Sequence, residues 1–158
     1  IDKWSDIKIQ KPNLKLHMVG KLQSNKVKLA VKLFDYIHSV DSEKLAKKIF
    51  DEQNKINKKI KLFLQVNIGD ENQKSGINKN NLVHLISSCK EMGLDVIGLM
   101  CIPPANIDPE VYFKEMNKLN KIFGFSELSM GMSSDFILAV KHMSTYVRIG
   151  SSIFGERS

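Results

Sequence analysis

The chain has 158 residues, 42% hydrophobic and 26% charged, which is enough for one domain with a sizeable core and is the composition of a soluble globular protein. No apolar run approaches the ~20 residues that a membrane span needs. The formal net charge of +7 invites a polyanion partner, but Arg148 and Arg157 are the only arginines and the lysines are spread over helix-like stretches. Specific nucleic-acid recognition, which leans on arginine's planar fork, is therefore not expected.

In chain order, Ile1 to Lys11 reads as the tail of a helix stopped near Pro12. Leu14 to Val19 is strand-like and ends at Gly20. Ser24 is placed to cap a helix through Phe34. Tyr36 to Val40 is a short strand, and Asp41 or Ser42 caps the helix carrying Leu45, Ala46, Ile49 and Phe50. Ile60 to Ile68 is the most strand-like run, rich in β-branched and large apolar residues, and Gly69 to Gly76 is a polar loop. Asn78 or Asn80 begins a helix that ends around Gly93. Leu94 to Met100 is a strand, Pro103 to Pro109 an irregular loop, and Glu110 to Phe123 an amphipathic helix. Glu127 to Met130 is a strand, Ser134 to Met143 a short helix, and Thr145 to Ile149 the last strand.

About six alternations of strand and helix define an α/β fold with a parallel sheet, either a barrel or an open sheet. A complete eight-unit barrel typically takes ~250 residues and at least ~200, so about two units lie outside a chain of this length. The chain begins at Ile1 rather than methionine, and a preceding segment is expected. The whole of residues 1–158 reads as one incomplete barrel domain.

The chemistry concentrates in the last third. Leu128 to Asp135 (LSMGMSSD) and Val147 to Arg157 (VRIGSSIFGER) are apolar runs that end in glycine and hydroxyl residues ahead of helix-compatible segments. A strand end opening onto a helix start offers unpaired N–H groups and the positive end of a helix dipole. Ser133 and Ser151 add hydroxyls, and Gly131 and Gly150 let backbone approach a ligand. The two stretches are either a bipartite phosphate cradle or simply two helix caps. Arg148 lies inside an apolar strand, where an arginine is seldom buried without a partner. His17 ends an apolar strand and either faces the pocket mouth or is a satisfied structural residue; His38 is similar, with a weaker signal. His84 and His142 sit on helices as surface or packing residues. Cys89 and Cys101 form no disulfide framework, and the histidines and cysteines show no metal-ligand spacing. They read as reduced, partly buried thiols of a cytoplasmic protein.

These two stretches, with Leu16 to Lys26 (LHMVGKLQSNK), Ile37 to Ala46 (IHSVDSEKLA), Leu64 to Ile77 (LQVNIGDENQKSGI) and Val96 to Pro104 (VIGLMCIPP), resemble successive signatures of the pyridoxal phosphate homeostasis (YggS/PROSC) family. That family is built like the alanine racemase N-terminal barrel (fold type III), and the resemblance covers nearly the whole chain. It implies a TIM (β/α)8-type barrel of which this chain holds strands three to eight. It implies pyridoxal 5′-phosphate as cofactor, with Ser133, Gly150 and Ser151 on its phosphate, Met132 lining the pocket and Arg148 facing the ring nitrogen. His17 joins these as a candidate at the pocket mouth. The family's lysine that bonds the cofactor covalently matches no residue here, because its strand precedes Ile1.

The resemblance thus implies a non-catalytic carrier in intracellular cofactor homeostasis, with cofactor-accepting apoenzymes as partners and no membrane. One alternative is a racemase-like enzyme using the same cofactor, for which Tyr36, Tyr112 and Tyr146 supply no matching base motif. Another is a phosphate-binding barrel for a different phosphorylated metabolite. No catalytic residue is assigned. Open sheet edges on an incomplete barrel lead to an expectation of self-association.

Overall fold

The computed structural model describes residues 2–71, 75–105 and 107–155. The elements run α1 (Asp2–Gln10), β1 (His17–Met18), a single 3-10 turn (Ser24–Lys26), α2 (Val27–Leu33), β2 (Tyr36–Val40), α3 (Glu43–Lys55) and β3 (Lys61–Gln65). They continue with α4 (Lys79–Glu91), β4 (Asp95–Met100), α5 (Glu110–Ile122), β5 (Glu127–Met132), α6 (Phe136–Lys141), β6 (Tyr146–Arg148) and α7 (Ser151–Phe154).

All six strands are parallel and lie in chain order, β1 to β6. The sheet curls. Tyr146 on the last strand meets His17 on the first across the concave side, with ring centroids 5.7 Å apart, and Tyr36 on the second at 5.9 Å. Sequential parallel strands, each followed by a helix and curling toward closure, are the construction of a (β/α)8-type barrel.

Strand alternation sorts the side chains onto two faces. Ile37, Leu62, Leu64, Leu99, Leu128 and Met130 join the apolar core under the helices. Leu45, Ala46 and Ile49 of α3, Leu82, Leu85 and Cys89 of α4, and Phe113 and Met116 of α5 supply its other half at helical spacing. The concave face carries rings and polar groups instead. Ser42 caps α3 by accepting from the Leu45 N–H at 3.4 Å, and Asn78 caps α4 by accepting from the Asn80 N–H at 2.9 Å.

Three segments differ from the sequence reading for identifiable reasons. The strand expected over Leu14 to Val19 shrinks to His17–Met18, because side chains take its backbone groups: Lys8 Nζ donates to the Leu14 carbonyl and Asp35 Oδ2 accepts from the Leu16 N–H. Ser24 opens a 3-10 turn and caps nothing. The strand expected to reach Ile68 leaves its ladder after Gln65, where Val66 bridges to Ile77 and the chain folds back. Part of that polar loop, residues 72–74, lies outside the described residues.

Two local devices hold the frame. Lys58 Nζ donates to the carbonyls of Val31, Lys32 and Phe34 at 2.9, 3.0 and 2.8 Å, satisfying orphan acceptors at the end of α2. At Gly98, a Cβ would lie 1.9 Å from the Glu127 carbonyl oxygen, so β4 and β5 approach as they do only because no side chain is present. Lys58→Met is expected to lower unfolding stability by ~1–2 kcal/mol in urea titrations, against less than about 0.5 kcal/mol for exposed Lys44→Met. Gly98→Ala is expected to cost at least ~2 kcal/mol in the same assay, since the atom it meets is backbone and cannot rotate away.

Candidate functional site

The carboxyl end of β5 turns sharply. The Met132 N–H donates to Asp135 Oδ1 at 2.6 Å and the Asp135 N–H to the Met132 carbonyl at 3.1 Å, which presents Ser133 at the turn. The Ser133 hydroxyl accepts from the Gly150 N–H at 3.1 Å and from the Ser152 N–H at 3.5 Å. The end of β5 and the start of α7 are thereby joined into one wall. Between them opens a cavity of about 480 Å³ lined by Met132, Ser133, Arg148, Gly150, Ser151 and Phe154 among others.

Five of the six residues singled out in the sequence therefore share one cavity. At Gly150 a Cβ would meet nothing within 4 Å, and its N–H is donated to Ser133. Gly131 is packed closely instead. At φ +93 its missing Cβ leaves room for α6, where the Cβ of Ala139 would lie 2.6 Å away, so this glycine serves helix packing rather than ligand approach.

His17 is the residue the cavity leaves out. It sits half-buried on the concave face, stacked on Tyr36 at 4.1 Å with an interplanar angle of 7°. It reaches the cavity through a series of hydrogen bonds. His17 Nδ1 is 2.9 Å from His38 Nε2, and His38 Nδ1 is 2.9 Å from Ser129 Oγ. Arg148 Nη1 donates to Ser129 Oγ at 2.9 Å, and Arg148 Nη2 donates to the Cys101 carbonyl at 2.8 Å. His38 also stacks on Phe63 at 4.2 Å, and Tyr146 closes the cluster edge-on.

The electrostatics follow from burial. Desolvation, helped by the nearby His17 and Arg148 charges, pushes the His38 imidazole down from 6.5 to about 3. Burial also lowers His17, against the pull of Asp35. Burial and the adjacent Tyr36 raise the Tyr146 phenol to about 12. Arg148 makes none of the ion pairs found among the described residues. Its charge is held by neutral acceptors, and burial lowers its pKa. Both cysteines are buried thiols, Cys101 raised to about 12 and Cys89 to about 11 by desolvation. His84 is exposed and pairs with Glu43, and His142 pairs with Glu110. No cluster of His, Cys, Asp and Glu suited to a metal occurs among the described residues. None of their helices is long and apolar enough to cross a membrane.

Sequence reasoning missed Ser129 and underrated His38. The available signal was alternation: a histidine between Ile37 and Val40, and a serine between Leu128 and Met130, are polar positions on strands whose neighbours enter the core.

A curled sheet of sequential parallel strands, with a cavity of hydroxyls, backbone N–H groups and an arginine at the strands' carboxyl ends, defines a ligand-binding α/β barrel domain. The family model for the alanine racemase N-terminal domain matches residues 7–158. The pyridoxal phosphate homeostasis protein of Aquifex aeolicus is 37% identical over 92% of this chain and 68% of its own length; that of Escherichia coli K12 is 35% identical over 91% and 65%. PipY of Synechococcus elongatus, solved with PLP bound, superposes with a TM-score of 0.88 at 32% identity over 96% of this chain and 75% of its own. Alanine racemase of Clostridium difficile shares the fold alone, with a TM-score of 0.71 at 16% identity over 96% of this chain and 42% of its own. The chain belongs to the pyridoxal phosphate homeostasis protein family, within the alanine racemase N-terminal domain superfamily. It spans about two thirds of the length of the curated relatives, 64% to 71%.

The depressed His38 carries a sign. Between 6.5 and about 3 the unfolded chain binds a proton there that the folded chain refuses, so stability is full above 6.5 and falls as pH is lowered. Urea titrations from pH 7.5 to 4.5 are expected to show this loss, and His38→Gln to flatten the slope by up to ~1.4 kcal/mol per pH unit. An unchanged slope in the variant would place the titrating group elsewhere.

Proposed function

We propose that this chain binds pyridoxal 5′-phosphate reversibly, as the phosphate-and-ring side of a carrier site in cofactor homeostasis. The observation that carries the reading is the convergence on one cavity of the Ser133 hydroxyl, the Gly150–Ser151 backbone and the Arg148 guanidinium, with no acidic partner on that arginine among the described residues. A dianionic phosphate fits the hydroxyls and N–H groups. A pyridine nitrogen fits a guanidinium, which only donates. Met132 offers an apolar flank to the ring. His17 stands at the far end of the concave face and belongs to the site through its hydrogen-bonded link to Arg148. PipY with PLP bound and the curated relatives' names support the same cofactor.

When bound, the cofactor supplies an aldehyde and an electron sink. Arg148, which only donates, would hold the ring nitrogen unprotonated and so weaken that sink. Among the described residues no lysine lines the cavity, which supports a non-covalent contribution from this chain. Buried thiols at Cys89 and Cys101 are consistent with a reducing, cytoplasmic setting, where apoenzymes would receive the cofactor.

Titration with pyridoxal 5′-phosphate, followed by borohydride reduction and intact mass, tests the reading. Binding is expected to be saturable, to be competed by inorganic phosphate, and to leave no stoichiometric mass gain. Ser133→Ala is expected to weaken it by roughly ten-fold, the loss of one hydrogen bond to a charged group. A stoichiometric adduct on one lysine, or binding indifferent to phosphate and to Ser133→Ala, would overturn it.

A further inference from the structure

Four side chains on the concave face form a chain of hydrogen bonds whose direction the chemistry dictates. Arg148 has donors and no acceptor, so Ser129 Oγ accepts from Nη1. Ser129 is fully buried, and its hydroxyl oxygen makes just two hydrogen bonds among the described residues, to Arg148 and to His38. Its single hydrogen therefore has one destination, His38 Nδ1, 2.9 Å away. The reverse arrangement, with His38 Nδ1–H donating, would bring two donors onto one oxygen and leave a buried hydroxyl hydrogen without an acceptor, at a cost of ~1–3 kcal/mol.

With Nδ1 accepting, the hydrogen of neutral His38 sits on Nε2. That atom faces His17 Nδ1 at 2.9 Å, which must accept in turn. His17 then carries its hydrogen on Nε2. Stacking on Tyr36 and on Phe63 fixes the two ring planes, and the paired nitrogen contacts favour this orientation of each ring within its plane.

We propose that Ser129 and His38 are positioning residues, a one-way hydrogen-bond chain that anchors the guanidinium of Arg148 at one end and locks His17 as an Nε2–H donor at the other. The role rests on the cofactor reading above, since Arg148 and His17 are its candidate contacts. Ser129 and His38 themselves line no part of the cavity. The chain makes the concave face directional. Arg148 presents its remaining N–H groups to a ring acceptor, while His17 presents a donor suited to an anionic or carbonyl oxygen.

The test is the tautomeric state of both rings, read by long-range proton–nitrogen correlation spectra of the 15N-labelled chain at pH 8 without ligand. Expected are Nε2–H forms for both His38 and His17. Ser129→Ala removes the one donor to His38 Nδ1 among the described residues, and it is expected to convert His38 to mixed tautomers and to shift His17, two hydrogen bonds away. In cofactor titrations the same variant is expected to weaken binding by roughly five- to ten-fold through a looser Arg148. An Nδ1–H form of His38 in the unsubstituted chain, which needs no variant to fold, would overturn the proposal. So would tautomers that ignore Ser129→Ala. The ligand-free readout keeps the two ideas apart: failure of the unsubstituted chain to bind the cofactor sinks the cofactor reading, and wrong tautomers sink this one.

Discussion

The concave face is organised around a cation that forms no ion pair among the described residues. Arg148 projects from the short last strand into the barrel interior, and its charge is met by a serine hydroxyl and a backbone carbonyl. A guanidinium withdrawn from water is tolerated only when neutral acceptors are held in place for it. Ser129 on β5 and Cys101 just beyond β4 supply them, so three consecutive strands must keep their register for the arginine to remain satisfied. The same requirement holds Arg148 open toward any further acceptor a ligand brings.

Around that centre the two faces of the sheet obey different rules. Under the helices the strands contribute aliphatic side chains to a continuous apolar core. On the concave side, rings and polar groups satisfy one another through stacking and short hydrogen bonds. Apolar packing and the polar ring cluster are thus assigned to opposite faces of the same strands. The helices add to the division by keeping their charges outward, as in the Lys47–Asp51 and Lys114–Glu110 pairs. Most of the described lysines are accordingly exposed to solvent.

Local chemistry was legible from the residues, and relations across the sheet were not. Tyr36 to Val40, the Ser42 and Asn78 caps, and the helix over Glu110 to Ile122 could be read because alternation, capping and period act within a few residues. The cavity was legible for the same reason, since its glycines and hydroxyls lie in two compact stretches. The short β1 was not, because its backbone is claimed by Lys8 and Asp35, groups from other elements. Nor was the link between His38 and Ser129, which are 91 residues apart in the chain. Gly131 shows a third kind of difficulty: a glycine beside a ligand motif looked like a ligand glycine, while its neighbour in space is Ala139 on α6.

The strictly sequential strand order has a consequence for how the molecule is built. Each strand pairs with the one immediately before it in the chain, as in His17 with Tyr36, Tyr36 with Lys61, Lys61 with Asp95, Gly98 with Glu127, and Ser129 with Tyr146. A chain emerging amino-terminus first therefore finds, at every stage, the edge its newest strand needs already in place. The pairing reach never exceeds one strand–helix unit, so loop-closure entropy stays modest until the end. What cannot form early is the ring cluster across the concave side, which waits for Tyr146 to meet His17 and Tyr36. The sheet assembles like a zip, and its concave side is finished last.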